Sequence, residues 1–450
     1  MSAFAFYQPA NTPIWQERVG VFALYVFALF AYLGNAGAYL GLGLLFIATA
    51  ADWRRFLTVF RHDGLALALL WAAAAVLISL VLALLDRPEQ LDSQLDAASD
   101  FFWLWLFLCV AWWLRGNQDR ILILLALTLV GFVLGCARAF DESQLAALIN
   151  HDRVSFKWSA TAFGQYTAAA LLGLLVMMPR LCHFIHGRRG YWLGMIGLTC
   201  LALLLLQGLI VSQTRSAWLA LLIIGIGLAF SIKYRRPDWT KSRVVRLYAG
   251  TVVALIAILL AFNSWTLVER FSFTNDDSFM SHVWSGNIDS IDDFAIRERA
   301  TIMLVGSEAW LQKPWFGWGL GAGPHILAKQ QARFAPDTDY QDFHNIGLEL
   351  LVGLGVFGTV PFLLLFGVLV YRLRQSALNG CLDRDVYMLL LSLMALNILC
   401  QLTDSRLFST HGRFYWLLIA GATYTCYLAR ADSSYSGAHS PSDPNSNVRK

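Results

Sequence analysis

The sequence predicts an all-α, polytopic transmembrane bundle of about 12 helices with one long, mostly helical loop on a single face. Three observations predict it. Charged residues make up 14% of the chain and apolar ones 57%, where a soluble domain carries about 25% charge. Apolar runs recur at the length that crosses a bilayer. Basic residues gather in alternate connections, as they do on the cytoplasmic side of a membrane.

The apolar runs start near Val19, Ala36, Gly64, Phe101, Ile121, Thr161, Trp192, Trp218, Ala249, Ile346, Val386 and Phe414. The first two are short and part at Gly34-Asn35, which allows one long broken helix there. Arg54, Arg55 and Arg61 follow the second run, and Arg115 and Arg120 the fourth. Arg180, Arg188 and Arg189 follow the sixth, Lys233 to Arg246 the eighth, and Arg372, Arg374 and Arg384 the tenth. All fall on one side. The intervening connections are acidic or mixed, such as Asp86 to Asp100. Both termini are therefore expected in the cytoplasm. Residues 1–263 read as spans one to nine, 264–345 as an extracytoplasmic cap, 346–431 as spans ten to twelve, and the Ser/Pro/Asn-rich 432–450 as a disordered tail.

A connection as long as 264–345 is uncommon unless it works. The seven cysteines leave the stretch between Trp265 and Phe343 empty, so no disulfide framework is expected there. They read as small buried hydrophobes. No cleavable leader is expected, since the first apolar run follows a polar start and leads into further runs.

Four places could carry chemistry. Arg215, in VSQTRSAW, lies in a turn of a few residues between two very apolar runs, on the side where arginine is disfavoured. Its planar fork suits phosphate. Arg297 and Arg299, in AIRERATIMLVGSEAWLQKP, point to different faces of a helix, so at most one faces a site by default. His344 and Asn345 stand at the mouth of the tenth run, with Glu349 about a turn inside. A histidine there can act as a base near neutral pH, and ionisable groups at membrane depth are functional candidates. Arg153 precedes Gly164 by eleven positions; any arginine near a Gly-rich helix gives such spacing, and it is the weakest of the set. Trp315 and Trp318 could stack on sugar faces. Asp337-Thr338-Asp339 matches a short metal-holding pattern by chance, and no metal is expected.

The order QTRSAWLALLI, RERA, KPWFGWGLGAG, FHNIGLELLVGLGVFG, set around one long loop, resembles the O-antigen ligase and polymerase superfamily over about Ser212 to Gly358, and within it the O-antigen ligases. The resemblance implies a GT-C-like plan and a bacterial inner-membrane enzyme with its active site facing the periplasm. It implies metal-independent, inverting transfer of polysaccharide from undecaprenyl diphosphate to lipid A-core, with no cofactor. The expected partners are that donor, that acceptor and membrane lipids, with no nucleic acid. By the same resemblance Arg215 contacts the diphosphate, Arg299 (Arg297 being a close second) supplies the other arginine, and His344 activates the acceptor hydroxyl. An O-antigen polymerase or a periplasmic protein O-oligosaccharyltransferase is the near alternative. A lipid-linked glycan flippase is a more distant one, since it would want charged midplane helices and internal repeats.

Overall fold

The computed structural model describes residues 13–61, 63–150, 152–185, 191–233, 253–261, 263–264, 268, 294–336 and 338–438. Among these the chain is helical, with no strand, and it is a multi-pass membrane protein: eight helices are long and apolar enough to cross a bilayer, nine if one bent pair counts as a span. Among the described residues the expected twelve spans are not all reached by that standard, and the run expected from Ala249 lies partly outside those residues. Several helices on the expected runs are shorter, or less apolar over any crossing-length window.

The chain opens with α1 (Ile14–Leu33) and α2 (Asn35–Ala51). These pack along each other and reverse at Gly34 in extended backbone, so the single broken helix does not form. An 81° bend leads from α2 into α3 (Trp53–Phe60). Then come α4 (Gly64–Asp86), α5 (Leu91–Trp103) and α6 (Phe107–Leu114), α7 (Gln118–Arg138) and the short α8 (Glu142–Ile149). Asp63 and Asn117 start α4 and α7 by accepting from backbone amides of the first turn, which satisfies otherwise orphaned donors. α7 lies very close to α1: a Cβ on Gly131 would stand 1.9 Å from the Leu29 carbonyl oxygen, so only glycine permits this approach.

α9 (Ala160–Ile185), α10 (Tyr191–Val211) and α11 (Arg215–Lys233) follow, then α12 (Phe294–Gln312) and α13 (Gly323–Lys329). The last three are α14 (Ile346–Leu378), α15 (Arg384–Gln401) and α16 (Thr410–Ala438). α16 packs against α6 and α14, α14 against α4, and α15 against α9 and α11. Trp112, Trp113, Trp416 and Tyr424 are fully buried where these helices meet. Of the cysteines, Cys109, Cys400 and Cys426 are buried as expected, three are half-buried, and Cys200 is exposed. α16 continues to Ala438, and Asp432, expected in a disordered tail, is buried against Arg55. The basic loop at 234–252, the Asp337 position, the tail after Ala438 and most of 264–293 lie outside the described residues.

α14 is broken at Gly355, whose φ is 63°. The turn Pro314–Gly319 docks on that break: Val356 and Phe357 donate backbone hydrogen bonds to the carbonyls of Pro314 (2.8 Å) and Trp315 (3.0 Å), and Trp318 and Gly319 donate to Val352 (2.8 Å) and Gly353 (2.9 Å). Irregular backbone is tolerated beside a membrane when protein satisfies it. Gly317 and Gly319 take positive φ in this turn, which only glycine adopts at little cost. A second, smaller core forms above the break from Ile302, Val305, Leu327, Phe334, Phe343 and Val352. It ties α12 and α13 to the first turns of α14.

Candidate functional site

The reversal between α10 and α11 carries Arg215, and the structure shows how it is fixed. Ser212 donates to the Leu209 carbonyl (2.7 Å), and Thr214 donates to the carbonyls of Ser212 (3.1 Å) and Ala160 (3.0 Å). Arg153 comes across from the preceding loop: its Nε donates to the Ser212 carbonyl at 2.9 Å and an Nη reaches Thr214 Oγ1 at 3.4 Å. Gly164 explains the spacing that looked incidental in the sequence. A Cβ there would lie 2.7 Å from the Thr214 side chain, so glycine on α9 lets the Arg215 turn seat against it. Arg153, Gly164 and Arg215 are parts of one junction.

His344 stands on the same junction's far side. Its φ of 51° is left-handed, a strained setting for a non-glycine residue that the surroundings must hold. The Asp342 side chain holds it, accepting from the His344 backbone amide (2.8 Å) and from Nδ1 (3.0 Å). Asp404, buried in the reversal between α15 and α16, lies 3.9 Å from the same Nδ1. Arg406 Nε binds Asp404 at 2.7 Å, and an Arg406 Nη donates to Thr161 Oγ1. The hydrogen bond to Asp342, with the Asp404 carboxylate close by, raises the His344 pKa to about 9 against the cost of burial. Burial works against ionisation of Asp404, but His344 and Arg406 outweigh it and hold its pKa at about 2. At neutral pH the pair is imidazolium and carboxylate. That differs from the ordinary histidine value near 6.5 that the sequence suggests.

These contacts form one path: Arg215 follows Thr214, which holds Ala160; Thr161 follows, then Arg406, Asp404 and His344. Asp342, His344 and Asp404 also bring three potential metal-ligand atoms within 4.8 Å of one another. Arg406 already occupies Asp404, so the donor set is that of a shared ion cluster more than of a cation cage. Sequence reading missed Asp404 and Arg406. A signal was there: charged residues in a short reversal opposite the basic loops, the criterion that singled out Arg215.

Residues 200–363 match the family model described as O-antigen ligase. That is the resemblance read from the motifs, now shown for this stretch. No curated protein matches the chain.

The matched segment runs from α10 into α14. It contains Arg215, Arg297, Arg299, His344 and Glu349, while Arg153, Asp404 and Arg406 join it from outside. On α12, Glu298 is the buried member of the Arg-Glu-Arg triplet, and it accepts from the Tyr340 hydroxyl at 2.5 Å. Burial, then the bond to Glu298, pushes the Tyr340 pKa up to about 12. The Tyr340 ring meets the His344 ring edge-on at 6.0 Å, which brings the start of α12 to the cluster. Arg297 is half-buried, 5.9 Å from the Phe294 ring, and Arg299 is exposed. Glu349 is buried and accepts from the Phe343 amide at 3.0 Å, so it braces the loop bearing His344. Trp315 and Trp318 do not offer sugar platforms together. Trp315 is 68% exposed on the docked turn, whereas the Trp318 ring already has Arg87 at 4.5 Å and Lys313 at 4.2 Å from its centre.

Proposed function

We propose that this protein is an O-antigen ligase, which transfers polysaccharide from undecaprenyl diphosphate to lipid A-core at the periplasmic face of the inner membrane. The observation that supports this reading is the run of contacts joining the Arg215 turn to His344: hydrogen bonds through Thr214, Thr161 and Arg406 to Asp404, then an ion-pair contact of 3.9 Å from Asp404 to His344 Nδ1. That end of the bundle is opposite the arginines of the basic loops, so the basic-loop rule makes it periplasmic and both termini cytoplasmic. The stretch 264–345 is then a periplasmic cap.

The chemistry follows from the residues. A diphosphate leaves readily when its growing charge is met by fixed guanidiniums, and Arg215 with Arg299 or Arg297 supplies two without a metal. Arg153 sets the Arg215 turn. The acceptor hydroxyl must lose a proton, and neutral His344, its Nδ1 held by Asp342 and Asp404, takes it. A histidine with pKa near 9 is a stronger base present in a smaller fraction at pH 7. The rate should therefore rise with pH up to about 9. A rate unchanged between about pH 6 and 10 would pass the base's role to Asp342.

The deciding experiment is reconstitution of the purified protein with undecaprenyl-linked glycan and rough lipopolysaccharide. A shift of the lipid A band supports the ligase. Cells lacking the protein should keep long undecaprenyl-linked glycan and fail to place it on the core. A core bearing one repeat unit would point to the polymerase instead.

A further inference from the structure

Asp404 and Arg406 sit in the reversal between α15 and α16, and that reversal is held from beneath by a side chain. α15 ends at Gln401, and the chain then turns through a short 3₁₀ segment, Arg406–Phe408, into α16. The first amides of such a segment have no carbonyl of its own to meet and need a partner. The Gln401 side-chain oxygen accepts from the amides of Arg406 at 2.9 Å and Leu407 at 3.2 Å; the Asp404 carbonyl shares the first of these. From the other side α16 closes on the same turn, where a Cβ on Gly412 would overlap the Arg406 carbonyl oxygen. The reversal is clamped between Gln401 and the first turn of α16.

Gln401 is itself held. Its Nε2 donates to Asn397 Oδ1 at 3.4 Å, and Gln165 Nε2 on α9 donates to the same oxygen at 3.2 Å. All three side chains are buried, so they form a ladder of carboxamides inside the bundle. Polar groups there are costly unless hydrogen-bonded, and hydrogen bonds between spans contribute little to helix association. The direction of the ladder points to a further role. Its top rung turns up into the reversal, with oxygen towards the two amides and nitrogen towards Asn397, the orientation that satisfies both ends. What it holds is the backbone of Arg406, whose side chain binds Asp404 at 2.7 Å and Thr161. Asp404 lies 3.9 Å from His344 Nδ1, a separation at which a small drift weakens the pair. The charged and titratable groups around His344 are Asp342, Tyr340, Glu349, Asp404 and Arg406. Of these, Asp404 and Arg406 ride on the turn that Gln401 holds.

We propose that Gln401 is a positioning residue of this site: by holding the amides of Arg406 and Leu407 it keeps the Asp404 carboxylate between Arg406 and His344, with Asn397 and Gln165 fixing its carboxamide from below. It touches no substrate and acts through Asp404. The inference rests on the ligase reading for the reaction to be measured, and on the hydrogen bonds alone for the geometry. An apolar residue at this position leaves the two amides without their acceptor in a dry core, so the turn must shift to find another. His344 then loses part of the influence of Asp404 and keeps that of Asp342.

Two measurements on the full-length protein in detergent test it. NMR titration with labelled histidine, assigned through His344→Gln, reads the cluster without activity, and glycan transfer reads the consequence. In wild type the His344 signal should titrate at about 9. Gln401→Met keeps the length and loses the carboxamide, and its midpoint should fall by about one pH unit. On the alkaline plateau, where the imidazole is neutral in every variant, kcat should fall about 10- to 100-fold with KM for the lipid-linked donor nearly unchanged. Gln401→Asn draws the amide back by one methylene and should move both readouts the same way by less, which keeps the test open if the methionine variant does not fold. Added to Asp404→Asn, Gln401→Met should move the midpoint no further, because the two act in one line. A folded Gln401→Met protein with wild-type His344 titration and turnover overturns the proposal, even if its thermal midpoint is lower, since that is what a merely structural glutamine gives. A further shift in the Asp404→Asn background overturns it as well. Wild type that titrates as expected yet transfers no glycan breaks the ligase reading and leaves Gln401 in its role.

Discussion

The two ends of the bundle use charge differently. At the end carrying the basic loops, arginines meet carboxylates and tie helix ends together: Arg55 to Asp432 (2.6 Å), Arg120 to Glu17 (2.5 Å), Arg372 to Asp63 (2.6 Å), Arg180 to Asp385 (2.6 Å). At the other end ion pairs also join helices, Lys313 to Asp86 and Arg413 to Asp100, but Asp404 there is shared between His344 and Arg406, and most of the strained backbone gathers around it. Among the described residues, non-glycine positive φ occurs at Arg115, Phe156, Gln213 and His344. Three of these four lie in the loops that build the candidate site. Strain held by surrounding contacts clusters at functional sites, whereas part-exposed ion pairs at helix ends contribute little to stability. The comparison can be broken by substitution at either end.

The largest effect is expected at His344. His344→Ala should lower turnover about 10²- to 10⁴-fold, the range of a positioned base, while leaving undecaprenyl-linked donor binding nearly intact. His344→Gln should also abolish the rise of rate towards pH 9. A glutamine enzyme with near-normal turnover removes histidine from the mechanism.

Arg215→Lys comes next. It keeps the charge and loses the two-pronged geometry, so a loss of about 10²- to 10³-fold in kcat/KM is expected, as for removal of one transition-state donor. Donor affinity and turnover should both suffer, because a diphosphate is bound before and during transfer. A mild defect in both would return Arg215 to the role of an interfacial anchor.

A smaller and sharper effect is expected at Asp404. Asp404→Asn removes one of the two carboxylates that raise the His344 pKa, so the base form becomes available at lower pH. The limb of the pH–rate profile should move from about 9 towards the ordinary value near 6.5, with Asp342 holding it part of the way. An unmoved limb would show that Asp404 serves Arg406 and not His344.

How much of this was legible beforehand depends on the range of the contacts. Helical class and membrane character follow from local composition, so they are readable; the tight α1–α2 hairpin at Gly34 is not, because it depends on Gly41 meeting the backbone of Phe27. Arg215 and His344 announce themselves by chemistry in an unusual place. Asp404 and Arg406 carry the same signal in a less conspicuous reversal and were passed over. Gly164 matters only because Thr214, fifty positions away along the chain, sits on it, and a one-dimensional spacing cannot say so. Trp318 looked like a sugar platform because nothing local reveals that Arg87 and Lys313 take its ring.

The smallest effect belongs to the basic end. The Arg120–Glu17 pair is 22% and 26% exposed, open enough for water and salt to screen it, and such pairs contribute about 0–1 kcal/mol. Arg120 also donates to the Trp113 carbonyl at 3.2 Å, a bond that glutamine can partly keep. Arg120→Gln should therefore cost less than about 1 kcal/mol, with glycan transfer per folded molecule unchanged. Thermal unfolding in detergent at low and high salt checks it, since the wild-type advantage should shrink as ionic strength rises. A loss of transfer by correctly inserted protein would mean that the two ends are coupled, and the division of labour between them would fail at its weakest pair.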